Sequence, residues 1–292
     1  MISGAITSFH SKPTDYTNAE MNDQYILFSS KSCPYAHRTE IVRNIKGLHN
    51  NINIVWCDPE FKFSGWSLDY NYNQTNPSEQ FNCLELIDLY KFAEPSYTGR
   101  GTLPILYNQS INKIINNDSS EIIKIFNTEF NKITSNDIDL YPENQRQNID
   151  EFCTEFNKKI CTNTYKAGHA KSQDEYEQLF NSVFEYLDKF DNMLTNKYIM
   201  GNSITLADIH AFPHLIRFDC IFYVLFSLNK KHLWEYTNIN RYLKTLLSNP
   251  HFAETIDFNE MKKGGFGSEN NYPENLGCRK IPIGNGGCEY YF

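Results

Sequence analysis

Hydrophobic positions change their spacing near residue 131. Before that point, short apolar runs alternate with helical stretches. Tyr25-Ile26-Leu27-Phe28 and Ile52-Asn53-Ile54-Val55-Trp56 read as strands. Between them, residues 34 to 46 carry Ile41, Val42 and Ile45 on one side, with Gly47 placed to cap the end. A strand–helix–strand order predicts a parallel pair joined by a right-handed crossover. A long irregular stretch, 57 to 84, holds Pro59, Gly65 and Pro77; loops of that length are usually functional. A short helix at 85 to 93 follows. Leu103–Tyr107 and Lys113–Ile115 then read as a hairpin across Asn108 to Asn112, and Ser119 to Phe130 as a helix.

The first half therefore reads β-α-β, a connection, then β-β-α, the order of a thioredoxin-like domain. The second half is helical. Ile149, Phe152, Cys153, Phe156 and Ile160 recur at helical spacing. Tyr176, Leu179, Phe180, Val183, Phe184, Leu187, Phe190 and Leu194 do the same over a longer span. Thr205-x-x-Asp208 predicts a capping box, with Ile204 set for a hydrophobic staple. An apolar run over 202 to 226 is interrupted by Pro213, and a helix at 239 to 248 is expected to end at Pro250. After it, Gly264, Gly265, Gly267, Gly284, Gly286 and Gly287 predict an extended tail.

With 292 residues, 40% of them hydrophobic and 21% charged, the chain has material for two cores and is not a disordered protein. Its net charge of −8 disfavours a phosphate-backbone partner, so no nucleic-acid role is expected. No run approaches the ~20 apolar residues of a membrane helix, so no membrane role is expected. Met1 to Thr7 lack a basic stretch followed by an apolar one, and an Arg-rich transit pattern is missing; a cytoplasmic protein is expected. The eight cysteines form no C-x-x-C pair, which argues against a zinc site, and no metal is expected. They read as reduced thiols, mostly buried.

One of them has a special context. Ser32-Cys33-Pro34-Tyr35-Ala36 falls where the first strand gives way to the first helix. Proline suits the first helical position, so Cys33 sits at or beside the N-cap, where unpaired N–H groups favour a thiolate. A lone cysteine is ordinarily a structural thiol; the strand–Cys-Pro–helix context makes this one a candidate nucleophile. Ala36 stands where a resolving cysteine would, so the chemistry must be monothiol, completed by an external thiol. Thr102-Leu103-Pro104 precedes a strand; its proline is a plain strand-start residue on spacing alone and a candidate cis bond in a thioredoxin-like setting. Asp118 and Ser119 start a helix, where they serve as ordinary caps or present polar groups to a zwitterionic ligand.

Ser32-Cys33-Pro34-Tyr35-Ala36-His37-Arg38, Gly65-Trp66, Tyr97-x-Gly99-Arg100-x-Thr102-x-Pro104, Asn116-Asn117-Asp118-Ser119-Ser120-Glu121-Ile122, Tyr165-Lys166-Ala167-Gly168 and Ile216-Arg217-Phe218-Asp219 occur in the order and spacing of one family. The chain resembles the glutathionyl-hydroquinone reductases, the xi class of glutathione transferases, from about residue 22 to 262. The resemblance implies a glutathione transferase fold: an α/β thioredoxin-like N-terminal domain plus an all-α helical C-terminal domain. It divides the chain into an N-terminal arm (1–24), the glutathione-binding domain (25–130), a linker (131–143), the helical domain (144–262) and an extended tail (263–292).

The resemblance also implies roles. Cys33 is the nucleophile and glutathione the co-substrate. Trp66 packs on glutathione. Arg100, Gly101, Thr102 and Leu103 line its site, with the Leu103 backbone pairing with the cysteinyl part. Asp118 and Ser119 hold the γ-glutamyl end; the family usually has Glu where Asp118 stands. Tyr165 protonates a departing hydroquinone. A homodimer is implied. His37 reads as structural or solvent-facing, and Arg217 and Asp219 as a structural ion pair or substrate-side polar contacts. Two family tyrosines are replaced, one by Phe222 and one in Gly264-Gly265-Phe266; Tyr223 or Tyr272 offers a substitute hydroxyl. An omega-like transferase acting on dehydroascorbate or mixed disulfides, and a non-catalytic binding protein of the same fold, are the competing readings.

Overall fold

The computed structural model describes residues 24–72, 81–134, 136–271 and 280–291. Two compact units emerge. The first spans the chain to Ile138 and takes in the segment from Gly267; the second spans Asp139–Phe266 and Lys280–Phe292.

In the first unit, β1 (Tyr25–Ser29), α1 (Pro34–Ile45), β2 (Ile52–Trp56), α2 (Leu86–Ala93), β3 (Ile105–Asn108), β4 (Lys113–Asn116) and α3 (Ser119–Thr128) follow in order. The sheet runs β2-β1-β3-β4, with β1 parallel to β2 and antiparallel to β3. This explains the composition of β1. A central strand covered on both faces reads as a continuous apolar run, and all five of its residues are buried. At the edge, β2 leaves Asn53 exposed. Helix α1 ends as expected: Gly47 follows it with φ +67, the left-handed turn that glycine adopts without strain. β3 begins at Ile105 rather than Leu103, because Leu103–Pro104 is a cis peptide and Pro104 has no N–H to add to the ladder.

In the second unit, α4 (Arg146–Phe156) passes through a π-helical turn, Asn157–Thr162, into α5 (Asn163–Gly168). Helix α6 (Gln173–Met193) opens at Ser172, whose hydroxyl accepts from Glu175 N–H at 3.2 Å. Helix α7 (Leu206–Arg217) is buried along its whole length and runs through Pro213 unbroken. The irregularity falls later, in the π-helical turn Phe218–Phe222 that leads to α8 (Tyr223–Leu225). Helix α9 (Thr237–Leu247) stops short of Pro250, which starts the next helix, α10 (Pro250–Ala253), as its first residue.

The glycines at 264, 265 and 267 do not begin an extended tail. They lie in α11 (Phe258–Gly267). Packing explains two of them: a Cβ on Gly265 would stand 2.7 Å from Ile221, and one on Gly267 2.8 Å from Glu60. Ser268 and Glu269 then bond the loop at Phe61 and Phe63: Phe61 N–H donates to Ser268 Oγ at 2.8 Å, and Glu269 N–H to Phe61 O at 2.9 Å. No helix among the described residues is long and apolar enough to cross a membrane. The expected arm at 1–24 lies, but for Gln24, outside the described residues.

The polar anchor of the second unit is Asp208, fully buried. Its carboxylate accepts from Thr205 N–H (2.9 Å), Ile199 N–H (3.0 Å), Tyr242 O–H (3.0 Å) and Thr205 O–H (3.2 Å). Truncation at Asp208→Ala strands these donors and is expected to cost about 2–4 kcal/mol, read as a drop in Tm. Burial outweighs the donors and pushes the Asp208 pKa from 3.8 up to about 6. The folded chain therefore keeps a proton that the unfolded chain releases, and stability falls as pH rises from roughly 4 to 6. In denaturant titrations across that range, Asp208→Asn should flatten this slope; an unchanged slope would rule out Asp208 as its source.

Candidate active site

The first unit gathers its chemistry where β1 ends. Cys33 N–H donates to Ser30 O at 2.9 Å, which closes the turn after β1. Ser32 O–H donates to Pro59 O at 2.7 Å and ties that turn to the long loop. Pro34 then starts α1, and Cys33 is its N-cap. The Ala36 N–H donates to Cys33 Sγ at 3.5 Å, and Sγ lies 3.8 Å from Leu103 O on its other side. The sulfur is thus held between a helix-terminal donor and the carbonyl that precedes the cis proline, with 6% of the residue exposed. A hydrogen bond from an otherwise unused helix N–H strengthens as the sulfur takes on negative charge. Nearby Cys57 is different: burial, then the proximity of Cys33, raises its pKa well above the usual thiol value, which keeps it a neutral core thiol.

The segment leading to the cis proline is held from below by Tyr90. Its hydroxyl donates to Thr102 O at 2.9 Å and accepts from Asn117 Nδ2 at 3.2 Å. That one side chain fastens residues 102–103 to the start of α3. Tyr97 supports the same stretch, donating to Arg100 O at 2.7 Å. Gly101 serves packing: a Cβ there would meet Ile87 N at 3.0 Å and Ile87 Cα at 3.2 Å, both backbone atoms. The Arg100 guanidinium lies 5.4 Å over the Phe61 ring, and its Nε is buried without a hydrogen-bond partner. A buried N–H donor left open suits an anionic ligand group. Trp66 packs edge-on to Phe61 at 5.1 Å and against the apolar cluster that includes Cys33 and Leu103.

Asp118 is the N-cap of α3, and its Oδ1 accepts from Ser120 N–H (2.7 Å) and Glu121 N–H (3.2 Å). The ordinary capping role is therefore real, on an exposed carboxylate that sits at the positive end of a helix. Ser119 is buried, with Arg38 Nη1 3.4 Å from its hydroxyl. Cys33, Trp66, Arg100, Thr102, Leu103, Asp118 and Ser119 thus share the first unit, tied together through Tyr90, Phe61 and Arg38. Sequence reasoning passed over Tyr90 and quoted Tyr97 and Arg38 only as motif positions without a role, because each acts through a partner that no spacing indicates. His37 is 1% exposed, which excludes the solvent-facing alternative. No group of three or more metal-ligating side chains occurs among the described residues.

Tyr165 belongs to the second unit, half-buried on α5. Its ring meets Phe222 at 5.6 Å and Phe226 at 5.4 Å, both edge-on, in an aromatic wall where Phe222 and Phe226 stack parallel at 5.7 Å. Phe222 thus faces Tyr165. Tyr223 turns elsewhere and stacks on His232 at 3.8 Å; Tyr272 lies outside the described residues. Arg217 is buried and donates to Pro213 O at 2.8 Å, and Asp219 accepts from Leu233 N–H at 2.9 Å.

The chain matches the family "Glutathione S-transferase, N-terminal domain" over residues 32–129 and "Glutathione S-transferase, C-terminal domain" over 154–250. It is 34% identical to the glutathionyl-hydroquinone reductase YqjG of Escherichia coli, over 84% of this chain and 75% of that protein. The crystal structure of the glutathione-S-transferase Xi from Phanerochaete chrysosporium superposes with a TM-score of 0.83 at 34% identity, covering 89% of both chains. The glutathione-bound structure of YqjG superposes with a TM-score of 0.82 at 31% identity, over 92% of this chain and 89% of that one.

Tyr90→Phe should leave the fold standing while loosening residues 102–103 and removing the bond from Asn117 Nδ2. A loss of about 1–3 kcal/mol in stability is expected, with weaker glutathione binding by calorimetry. Unchanged affinity would show that Tyr90 has no hold on the site.

Proposed function

We propose that this chain, which belongs to the glutathionyl-hydroquinone reductases, the Xi class of the glutathione transferases, removes the glutathionyl group from glutathionyl-hydroquinones. The observation that carries this reading is Cys33 Sγ, capped by Ala36 N–H and facing Leu103 O, with Ala36 in the position where a dithiol enzyme keeps its second cysteine.

In this mechanism the Cys33 thiolate attacks the sulfur of the glutathionyl group. The bond between that sulfur and the aromatic carbon breaks, its electron pair leaves with the ring, and the ring takes up a proton. Tyr165 is the proton donor in this reading. The aromatic wall of Phe222 and Phe226 around Tyr165 supports it, since a flat apolar quinol suits such a surface. The resulting mixed disulfide on Cys33 is attacked by a second glutathione. Oxidised glutathione leaves and the Cys33 thiolate returns. One protein thiol suffices because the second is supplied from solution.

Glutathione is the co-substrate. The open Nε of Arg100 is suited to one of its carboxylates, the Leu103 backbone to its cysteinyl amide, and the α3 N-terminus at Asp118 and Ser119 to its γ-glutamyl end. Thr102 acts through Tyr90, and Gly101 through its packing on Ile87. Trp66 flanks the peptide. The enzyme is read as cytoplasmic, which fits seven free cysteines among the described residues, and as a homodimer, because transferases of this fold generally pair. A monomer mass by light scattering at micromolar concentration would overturn the dimer.

Cys33→Ser should abolish turnover of glutathionyl-menadiol and also the glutathionyl adduct seen by intact mass spectrometry. Retention of more than about one per cent of the activity in pure protein would sink the mechanism. Faster turnover of dehydroascorbate than of glutathionyl-menadiol by the native enzyme would favour the omega-like activity instead. Phe222→Tyr places a hydroxyl beside Tyr165 and should raise quinol turnover by about ten- to a hundredfold, the worth of one hydrogen bond to a charged group, with the KM for glutathione unmoved. A fall in turnover would show that the position serves packing alone.

A further inference from the structure

Two thiols outside the proposed mechanism meet in the second unit. Cys220 lies in the π-helical turn Phe218–Phe222, and Cys288 in the single turn Cys288–Tyr291 close to the C-terminus. Their sulfurs share one acceptor: Ile216 O is 3.7 Å from Cys220 Sγ and 3.8 Å from Cys288 Sγ. The two thiols are close enough for Cys220 to raise the pKa of Cys288. The backbones come together as well. A Cβ on Gly286 would stand 2.5 Å from Asp219 O and 3.1 Å from Cys220 Cα, so glycine at φ +61 is what lets the C-terminal segment approach this closely.

The segment from 280 to 291 is otherwise held by noncovalent contacts. Lys262 Nζ donates to Ile283 O and Asn285 Oδ1, each at 2.9 Å. Tyr291 O–H donates to Asp219, and the Tyr290 ring lies 4.8 Å from Trp234. Ile283 is 98% exposed. A short segment held by a handful of side-chain contacts opens at a fraction of the global unfolding free energy.

We propose that Cys220 and Cys288 form a dithiol oxidation site, converted to an intramolecular disulfide by a low-molecular-weight disulfide of the glutathione type. Oxidised glutathione, which the proposed reaction releases, is such an oxidant, and the inference rests on that reading only for this source. One cysteine thiolate attacks a glutathione sulfur; the S–S bond of the oxidant breaks and one glutathione leaves, taking up a proton. The second cysteine attacks the protein sulfur of the mixed disulfide, the protein S–S bond forms, and the second glutathione leaves. Two protein thiols are oxidised and one glutathione disulfide is reduced. In the closed protein both sulfurs are buried, and the proximity of Cys220 and then burial hold Cys288 as a thiol. The first attack therefore waits for the C-terminal segment to lift, and its return aligns the second.

The full-length chain carrying Cys33→Ser, which removes the reactive thiol of the proposed mechanism, is incubated with oxidised glutathione, alkylated and digested. The expected product is a cross-linked peptide pair containing Cys220 and Cys288, reversed by dithiothreitol and formed faster in urea below the unfolding transition. The oxidised chain should also melt at a higher temperature than the reduced one. Cys288→Ser should abolish the cross-link, and so should Cys220→Ala. Cross-links through Cys278, glutathionyl adducts on both cysteines without a cross-link, or full alkylation of both thiols after urea exposure would each overturn the proposal. Quinol turnover by the native enzyme is a separate measurement, so failure of the oxidation site and failure of the proposed function are distinguishable.

Discussion

A thiol that is both buried and held at a helix N-terminus is the constraint on which the first unit depends. Cys33 Sγ has the Ala36 N–H on one side and the Leu103 carbonyl on the other. Each contact makes a demand on the chain. The N–H requires that α1 start at Pro34, directly after the turn that leaves the central strand. The carbonyl requires Leu103 to lie just before β3, the strand that pairs antiparallel with β1. The parallel β1–β2 pair and the antiparallel β1–β3 pair bring these two chain segments, seventy residues apart, to one end of one strand.

Around that sulfur, polar groups are satisfied by neighbours that stiffen the backbone. Tyr90 joins Thr102 to Asn117, and Tyr97 holds Arg100. Arg100 Nε is left open in this network. Polar groups in such networks are costly to leave unpaired, and this open buried donor is the feature on which the proposed contact with a glutathione carboxylate rests.

The second unit relies on a different anchor. Asp208 collects four donors from the start of α7, the preceding loop and α9. Its aromatic wall at Tyr165, Phe222 and Phe226 offers apolar faces and one hydroxyl, while a π-helical turn carries Phe222 and Cys220 at its end and middle. Such turns widen a helix locally and re-aim the side chains on it. Here the turn presents Phe222 to Tyr165 and Cys220 to the C-terminal segment.

What the sequence determined by itself was local and periodic. The continuous apolar run of β1, the Cys33-Pro34 helix start, Gly47 after α1 and the Thr205–Asp208 pair are all written within a few residues, because capping and strand burial depend on near neighbours. The family motifs added the glutathione chemistry. Tertiary structure decided the rest. It placed Gly264, Gly265 and Gly267 in a helix, and at Gly265 and Gly267 close packing against Ile221 and Glu60 outweighs glycine's weak helix propensity. It carried α7 through Pro213 and placed the irregularity at Phe218 instead. It buried His37, assigned Gly101 to the backbone of Ile87, and made Tyr90 the tie between two loops. It also set Cys288 against Cys220 across a long stretch of chain. None of these has a short-range signature, because each is decided by which distant atoms arrive within a few ångströms, and that is a property of the folded chain alone.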